Sequence, residues 1–133
     1  MTGKTKTSPI VTLLSDFGTR DGYVGAMKGV ILSICPAASI IDITHEISAC
    51  DVFGGALALQ AAAPRFPKGT IHVAVVDPGV GTSRRPLVVA SECGTFVGPD
   101  NGLLSLAAAH PRQAYHLDRT EFFLSEVSRT RLE

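Results

Sequence analysis

Thr70-Ile71-His72-Val73-Ala74-Val75-Val76-Asp77-Pro78-Gly79-Val80-Gly81 is the stretch on which the reading of the fold turns. A nearly continuous, β-branched apolar run ends on a carboxylate and turns through a proline and two glycines. Shortly afterwards the chain delivers Arg84 and Arg85. A strand this uniformly apolar needs cover on both faces, as strands of a parallel sheet have. For the loop that follows, the residues alone leave a plain surface turn and a functional loop both open.

Working outward, Ile10-Val11-Thr12-Leu13-Leu14 and Ile40-Ile41-Asp42-Ile43-Thr44 read as two further strands. Between them, Tyr23, Met27, Val30, Ile31 and Ile34 recur at three- and four-residue spacing. That predicts a helix from Gly22 to about Ile34 with one buried stripe, stopped by Pro36. Asp21 stands where a carboxylate can accept the free first-turn amides, and Asp51 reads as the N-cap of a second helix reaching about Ala63. Beyond the central loop, Leu87–Ala90 and Thr95–Val97 are expected as strands around a Glu92-Cys93-Gly94 turn of two residues, or three with a glycine. A short helix is expected over Leu103–His110, closed by Pro111, and a last strand over Gln113–Leu117. Strand, helix, strand, helix, strand is the order of an α/β domain: a mostly parallel sheet flanked by helices, Rossmann-like and three-layered.

Composition narrows the classes. The 133 residues suit one domain, and 45% hydrophobic against 18% charged residues argues against disorder. Twelve basic and twelve acidic residues cancel, which removes the electrostatic case for nucleic acid as the main partner. Cys35, Cys50 and Cys93 are widely spaced, as expected of ordinary buried thiols in a reduced compartment. Residues 1–8 read as a disordered polar tail and not as a signal peptide, and no apolar run is long enough for a bilayer. A cytoplasmic protein without membrane contact is expected.

Open α/β sheets bind ligands beyond the carboxyl ends of their strands, and Asp16 and Asp77 both fall on that edge. Turn-forming carboxylates would look the same in sequence. Gly79-Val80-Gly81 is neither a dinucleotide fingerprint nor a P-loop. Arg84 lies where a folded-back loop could bring it to Asp77, keep the acid ionised and help hold a water. A solvated arginine is the alternative. His45, His72, His110 and His116 are scattered, so no metal site is expected, and His72 reads as a core histidine. Ser15, Ser83 and Ser105 lack a nucleophile-elbow setting. Asp100-Asn101 reads first as a turn.

Taken together, Ser15-Asp16-Phe17-Gly18, Tyr23-Val24-Gly25-x-Met27-Lys28, Asp42-Ile43-Thr44-His45, Asp77-Pro78-Gly79-Val80-Gly81-Thr82 and Pro99-Asp100-Asn101-Gly102-Leu103 stand in one register. In that register the chain resembles the S-adenosylmethionine hydroxide adenosyltransferases, the adenosine-forming S-adenosylmethionine hydrolases, over residues 9–130. Adenosyl fluoride and chloride synthases are related to these. The resemblance implies an N-terminal α/β domain only, followed in the family by a smaller β-rich domain, and homotrimers with sites between subunits. It implies S-adenosylmethionine as substrate, adenosine and L-methionine as products, and no cofactor. It further implies that Asp16 holds the ribose hydroxyls and Asp21 contacts the methionine part. Tyr23 and Asn101 are expected among the substrate-binding residues. Asp77 and Arg84 match two members of an Asp-Arg-His group that activates water for attack on the ribose C5′. The halogenating relatives carry no acid at the position of Asp77.

One departure stands out. The family's Phe-His-Gly-Arg-Asp motif should follow a Val-Ser-x-Thr segment; here Val127-Ser128-Arg129-Thr130 is followed by Arg131-Leu132-Glu133. Residues 131–133 therefore read as a truncation point or a cloning scar. The fragment is expected to be inactive or feeble, and the intact protein a hydrolase. Two alternatives stay open: a halide-using adenosyl transferase, and a non-catalytic nucleoside-binding or assembly domain.

Overall fold

The computed structural model describes residues 8–79, 85–119 and 121. Its elements are β1 (Ile10–Ser15), α1 (Tyr23–Ile34), β2 (Ser39–Thr44), α2 (Val52–Ala62), β3 (Ile71–Val75), β4 (Pro86–Ser91), β5 (Gly94–Pro99) and β6 (Pro111–His116), with a 3-10 turn at Ala63–Arg65. They build one six-stranded sheet in the order β2-β1-β3-β5-β4-β6. β2, β1, β3 and β5 are parallel, while β4 runs antiparallel to both β5 and β6. The expected α/β sheet is therefore present, extended at one side by antiparallel strands.

From β1 the chain passes through α1 to β2 on one side, then through α2 back across β1 to β3 on the other. Right-handed crossovers in opposite directions place the two helices on opposite faces. Burial agrees with cover on both faces: Leu14, Ala74 and Val76 face the α2 side, while Leu13 and Val75, one residue out of phase, are buried as well. α2 approaches closely because residue 55 is glycine. A Cβ there would meet Leu103 Cδ1 at 2.8 Å and Val76 Cγ2 at 3.1 Å. The core gathers Leu14, Leu59, Val76, Phe96, Leu103 and Leu104 under that helix.

Local chemistry explains most boundaries. Asp51 caps α2 by accepting from the Gly54 amide at 2.9 Å. Asp21 accepts from the Tyr23 amide at 3.1 Å, just ahead of the Gly22 N-cap of α1. The β4–β5 hairpin has the two-residue connection Glu92-Cys93, with Ser91 opposite Gly94.

Three expectations change. The stripe predicted for α1 is not its buried face: Val24 is buried, Tyr23, Met27 and Ile31 are half-buried, and Val30 and Ile34 are exposed. At 100° per residue, Val30 and Ile34 lie about 90° round the helix from Val24 and Ile31, so the inward line runs along the Val24–Ile31 edge of the predicted stripe and not through its middle. Leu103–His110 is a run of turns, not a helix. Gly102 has φ 92°, Ser105 folds its hydroxyl onto the Gly102 carbonyl at 2.7 Å, and His110 has φ 59°. So short a run gains little from helical cooperativity, and the serine offers its backbone another arrangement. Leu103, Leu104, Ala107 and Ala108 are nonetheless buried. The cysteines are free thiols, but none is buried: Cys50 is exposed and the other two are half-buried. No helix among the described residues is long and apolar enough to cross a membrane.

Candidate functional site

β1 and β3 are neighbours with Ser15 opposite Val75. Asp16 and Asp77 therefore leave adjoining parallel strands at their carboxyl ends, about one strand spacing (~4.8 Å) apart with one residue of offset. This is also where the chain reverses its direction of travel across the sheet, since β1 leads left to β2 and β3 lies to its right. A crevice opens at such a switch point because the two flanking loops diverge to opposite faces.

Each acid is fixed by backbone. Asp16, half-buried, accepts from the Cys50 amide through Oδ2 at 2.8 Å, which ties the loop after β1 to the loop before α2. Cys50 itself has φ 62°, so this bond helps hold a residue in a conformation that costs a non-glycine roughly 1–2 kcal/mol. An ionised carboxylate has about four acceptor sites, and the amide takes one of Asp16's. Asp77 accepts from the Gly79 amide through Oδ1 at 3.0 Å, a local Asx turn, while its Oδ2 is shielded from solvent.

Asn101 belongs to the same edge. It leaves β5, donates through Nδ2 to the Val76 carbonyl at 2.9 Å and accepts from the Leu103 amide through Oδ1 at 3.1 Å. Turn-former and site-edge residue are thus one role here, because the amide that builds the turn also clamps the residue before Asp77. Asp21 and Tyr23 lie at the start of α1, where the Tyr23 ring stands 6.0 Å from that of Phe17, the residue after Asp16. Arg84 lies outside the described residues, as do Gly81, Thr82 and the Val127–Thr130 segment. Arg85 meets His116 Nδ1 at 3.0 Å across β4 and β6.

A second cluster went unread in the sequence. Ser15 Oγ lies 2.7 Å from His45 Nδ1, His45 Nε2 lies 2.8 Å from Asp42 Oδ1, and Lys28 Nζ donates to Asp42 Oδ2 at 2.8 Å. Burial alone would raise the Asp42 pKa; the bonds from Lys28 and His45 outweigh it and hold the carboxyl below the usual 3.8. The series resembles a nucleophilic triad, but Ser15 is 0% exposed and also accepts from the Phe17 amide at 3.2 Å. No substrate reaches it. The available signal was the Asp42-x-x-His45 pair at the end of an apolar strand. A strand of period two would put residues 42 and 45 on opposite faces. The β1–β2 register shifts after Leu13, pairing Leu13 with Asp42 but Leu14 with Thr44, which brings them to one side.

His72 is a core histidine, 0% exposed, bonded to Thr12 Oγ1 at 2.7 Å. A groove of about 420 Å³ between β4, β6 and the 100–111 segment is lined mainly by apolar side chains, and neither Asp16, Asp77 nor Asn101 borders it. Among the described residues no three His, Cys, Asp or Glu side chains stand close enough to share a metal.

The family model for the SAM hydroxide adenosyltransferase N-terminal domain matches residues 11–131. The (R)-S-adenosyl-L-methionine hydrolase of Methanocaldococcus jannaschii is 50% identical over 104 residues, covering 74% of this chain and 39% of that protein. The protein of the same name from Salinispora tropica is 42% identical over 126 residues, 92% of this chain and 48% of its own. A fluorinase from an Actinoplanes species is more distant, 28% identical with 92% of this chain and 50% of that enzyme covered. The crystal structure of an uncharacterized conserved protein from Thermotoga maritima superposes with a TM-score of 0.87 at 38% identity, covering 90% of this chain and 48% of that one. The chain thus spans half or less of the length of these relatives. With nearly its whole length matched by the family model and its acids at the switch point of the sheet, the chain belongs to the family of SAM hydroxide adenosyltransferase N-terminal domains.

Proposed function

We propose that the intact protein carrying this chain hydrolyses S-adenosyl-L-methionine to adenosine and L-methionine. In this reading residues 9–130 are its N-terminal domain, it needs no cofactor, and it works in the cytoplasm as a homotrimer. The observation that carries the reading is the pair of carboxylates, Asp16 and Asp77, on adjoining parallel strands at the switch point. The relatives support hydrolysis: in matches that each cover 92% of this chain, the Salinispora hydrolase is 42% identical and the Actinoplanes fluorinase 28%.

The chemistry assigns a task to each group. Asp16, with acceptor sites beyond the one given to Cys50, receives the ribose hydroxyls. Asp21 and Tyr23 stand on the methionine side, and Asn101, at the same sheet edge, holds the strand end beside Asp77. Water is a weak nucleophile, and Asp77 with Arg84 orients it and draws on its proton. The water oxygen bonds to C5′ as the C5′–S bond breaks. The electron pair goes to sulfur, methionine leaves as a neutral thioether, and the water proton passes toward Asp77. The positive sulfonium makes the leaving group good without an acid. A halide in the water's place would meet repulsion of about 4 kcal/mol from a carboxylate ~4 Å away at an effective dielectric near 20, less whatever Arg84 offsets.

The test is to incubate the full-length protein with S-adenosyl-L-methionine, with and without chloride, and separate the products. Adenosine and L-methionine are expected in both. A 5′-chloro-5′-deoxyadenosine product in place of adenosine would overturn the reading. Asp77→Ala is expected to lower kcat by about 100-fold or more.

A further inference from the structure

We infer that His45, backed by Asp42 and Lys28, is a positioning residue that sets the place of Asp16 by fastening the chain on both sides of it. The inference rests on the reading of Asp16 as a substrate-binding group. Its evidence is separate, and lies in how the 15–18 segment is held.

Asp16 sits between two attachments to one histidine. On its N-terminal side, the His45 ring meets Ser15 Oγ at 2.7 Å. On its C-terminal side, the Gly18 amide donates to the His45 backbone carbonyl at 2.8 Å. The amide between, Phe17 N–H, is taken by the same Ser15 hydroxyl at 3.2 Å. Gly18 has φ 72°, so the segment turns sharply back onto residue 45. Asp16 then reaches outward to the Cys50 amide.

The directions of these bonds interlock. Asp42, a carboxylate, only accepts, so the ring proton sits on Nε2. Nδ1 then accepts from Ser15 Oγ–H, which leaves an oxygen lone pair for Phe17 N–H. Lys28 occupies the other Asp42 oxygen at 2.8 Å. Ser15 is 0% and His45 3% exposed, so water cannot replace either partner without rearrangement. Losing His45 leaves the buried Ser15 hydroxyl unmatched one residue from Asp16, and losing Asp42 leaves the buried His45 Nε2 unmatched.

Two readouts on the intact protein test this. The first is hydrogen exchange of the Cys50 amide, held by Asp16, against that of the Thr95 amide, which is bonded to the Thr70 carbonyl elsewhere in the sheet. His45→Ala should speed exchange at Cys50 about tenfold or more while Thr95 changes little, as expected for loss of one buried partner. Should His45→Ala not fold, Ser15→Ala removes a single hydroxyl and should act in the same direction. Unchanged protection at Cys50 overturns the inference, and so does an equal loss at Cys50 and Thr95, which marks general destabilisation. The second readout is adenosine affinity by calorimetry for His45→Ala, Asp16→Ala and the double variant. Each single change should weaken binding, and the double should be no weaker than Asp16→Ala alone. Multiplying effects would mean that His45 acts elsewhere and would overturn the inference. If Asp16→Ala leaves adenosine affinity unchanged, the ribose role of Asp16 fails, and the exchange result still decides whether His45 positions it.

Discussion

Acidification should destabilise this fold through His72. The ring is fully buried, stacked on Phe96 with centroids 4.9 Å apart and set edge-on to Phe66 at 5.7 Å. Nδ1 is bonded to Thr12 Oγ1, and Nε2 has no hydrogen-bond partner among the described residues. A proton added here would place a cation between aromatic rings, and burial accordingly pushes the His72 pKa below 6.5. The unfolded chain binds its proton near 6.5 and the folded one does not. Below 6.5 the unfolded state therefore holds more protons, and stability falls with pH until the folded pKa is reached. The limiting slope is one proton, about 1.4 kcal/mol per pH unit, so moving from pH 7.5 to 5.5 costs at most about 1.4 kcal/mol through this group. Urea unfolding at the two pH values, in the native sequence and in His72→Leu, measures it. The variant leaves the Thr12 hydroxyl without this partner and starts less stable, so only the change with pH is diagnostic. It should lose less stability on acidification than the native sequence, by a difference of up to about 1.4 kcal/mol. Parallel losses in the two proteins would refute the reasoning.

Three further outcomes are expected. Asp51→Ala removes the cap on Gly54 and should cost about 1 kcal/mol, read as a lower Tm. Leu59→Ala opens a cavity at a fully buried position under α2 and should cost about 3–4 kcal/mol in chemical denaturation. Asn101→Ala frees the Val76 carbonyl and the Leu103 amide together, so it should lose about 1–3 kcal/mol of stability and, in the full-length protein, lower kcat for S-adenosyl-L-methionine.

The strands were legible because their signal is local. The apolar runs at 10–14 and 70–76 need only their own residues to announce strands covered on both faces, and Asp16 and Asp77 follow from where those two runs stop. The run at 40–44 announces a strand equally well, but it is at the sheet edge and leaves Ile41 exposed. The failures are of another kind. The inward face of α1 depends on which neighbours it meets, so a stripe drawn through Val30 and Ile34 missed it by a quarter turn. Leu103–His110 has helical spacing and helical burial, yet Gly102 and Ser105 settle its backbone as turns. The Ser15–His45–Asp42 series was hidden by period two itself, since only a register shift between β1 and β2 brings residues 42 and 45 to the same side. Sequence spacing cannot reveal a contact that depends on how two strands slip.

The two clamps at this edge share one construction. β2 lies outside β1, and His45, the residue after it, reaches inward to the last residue of β1, Ser15. β5 lies outside β3, and Asn101, two residues past its end, reaches inward to the carbonyl of Val76, just beyond β3. Each flanking strand thus fastens the residue immediately before a carboxylate, and the carboxylate's own second contact is a backbone amide, Cys50 on one side and Gly79 on the other. Acids held this way keep their geometry without help from a ligand, as a site that binds and orients small groups requires. The construction also separates the two halves. Loosening His45 should disturb Asp16 and nucleoside affinity while leaving Asp77 in place; loosening Asn101 should disturb Asp77 and turnover while leaving Asp16 in place. If both clamps instead changed affinity and turnover together, the edge would move as one body, and the division between a ribose-holding strand end and a water-activating one would be wrong.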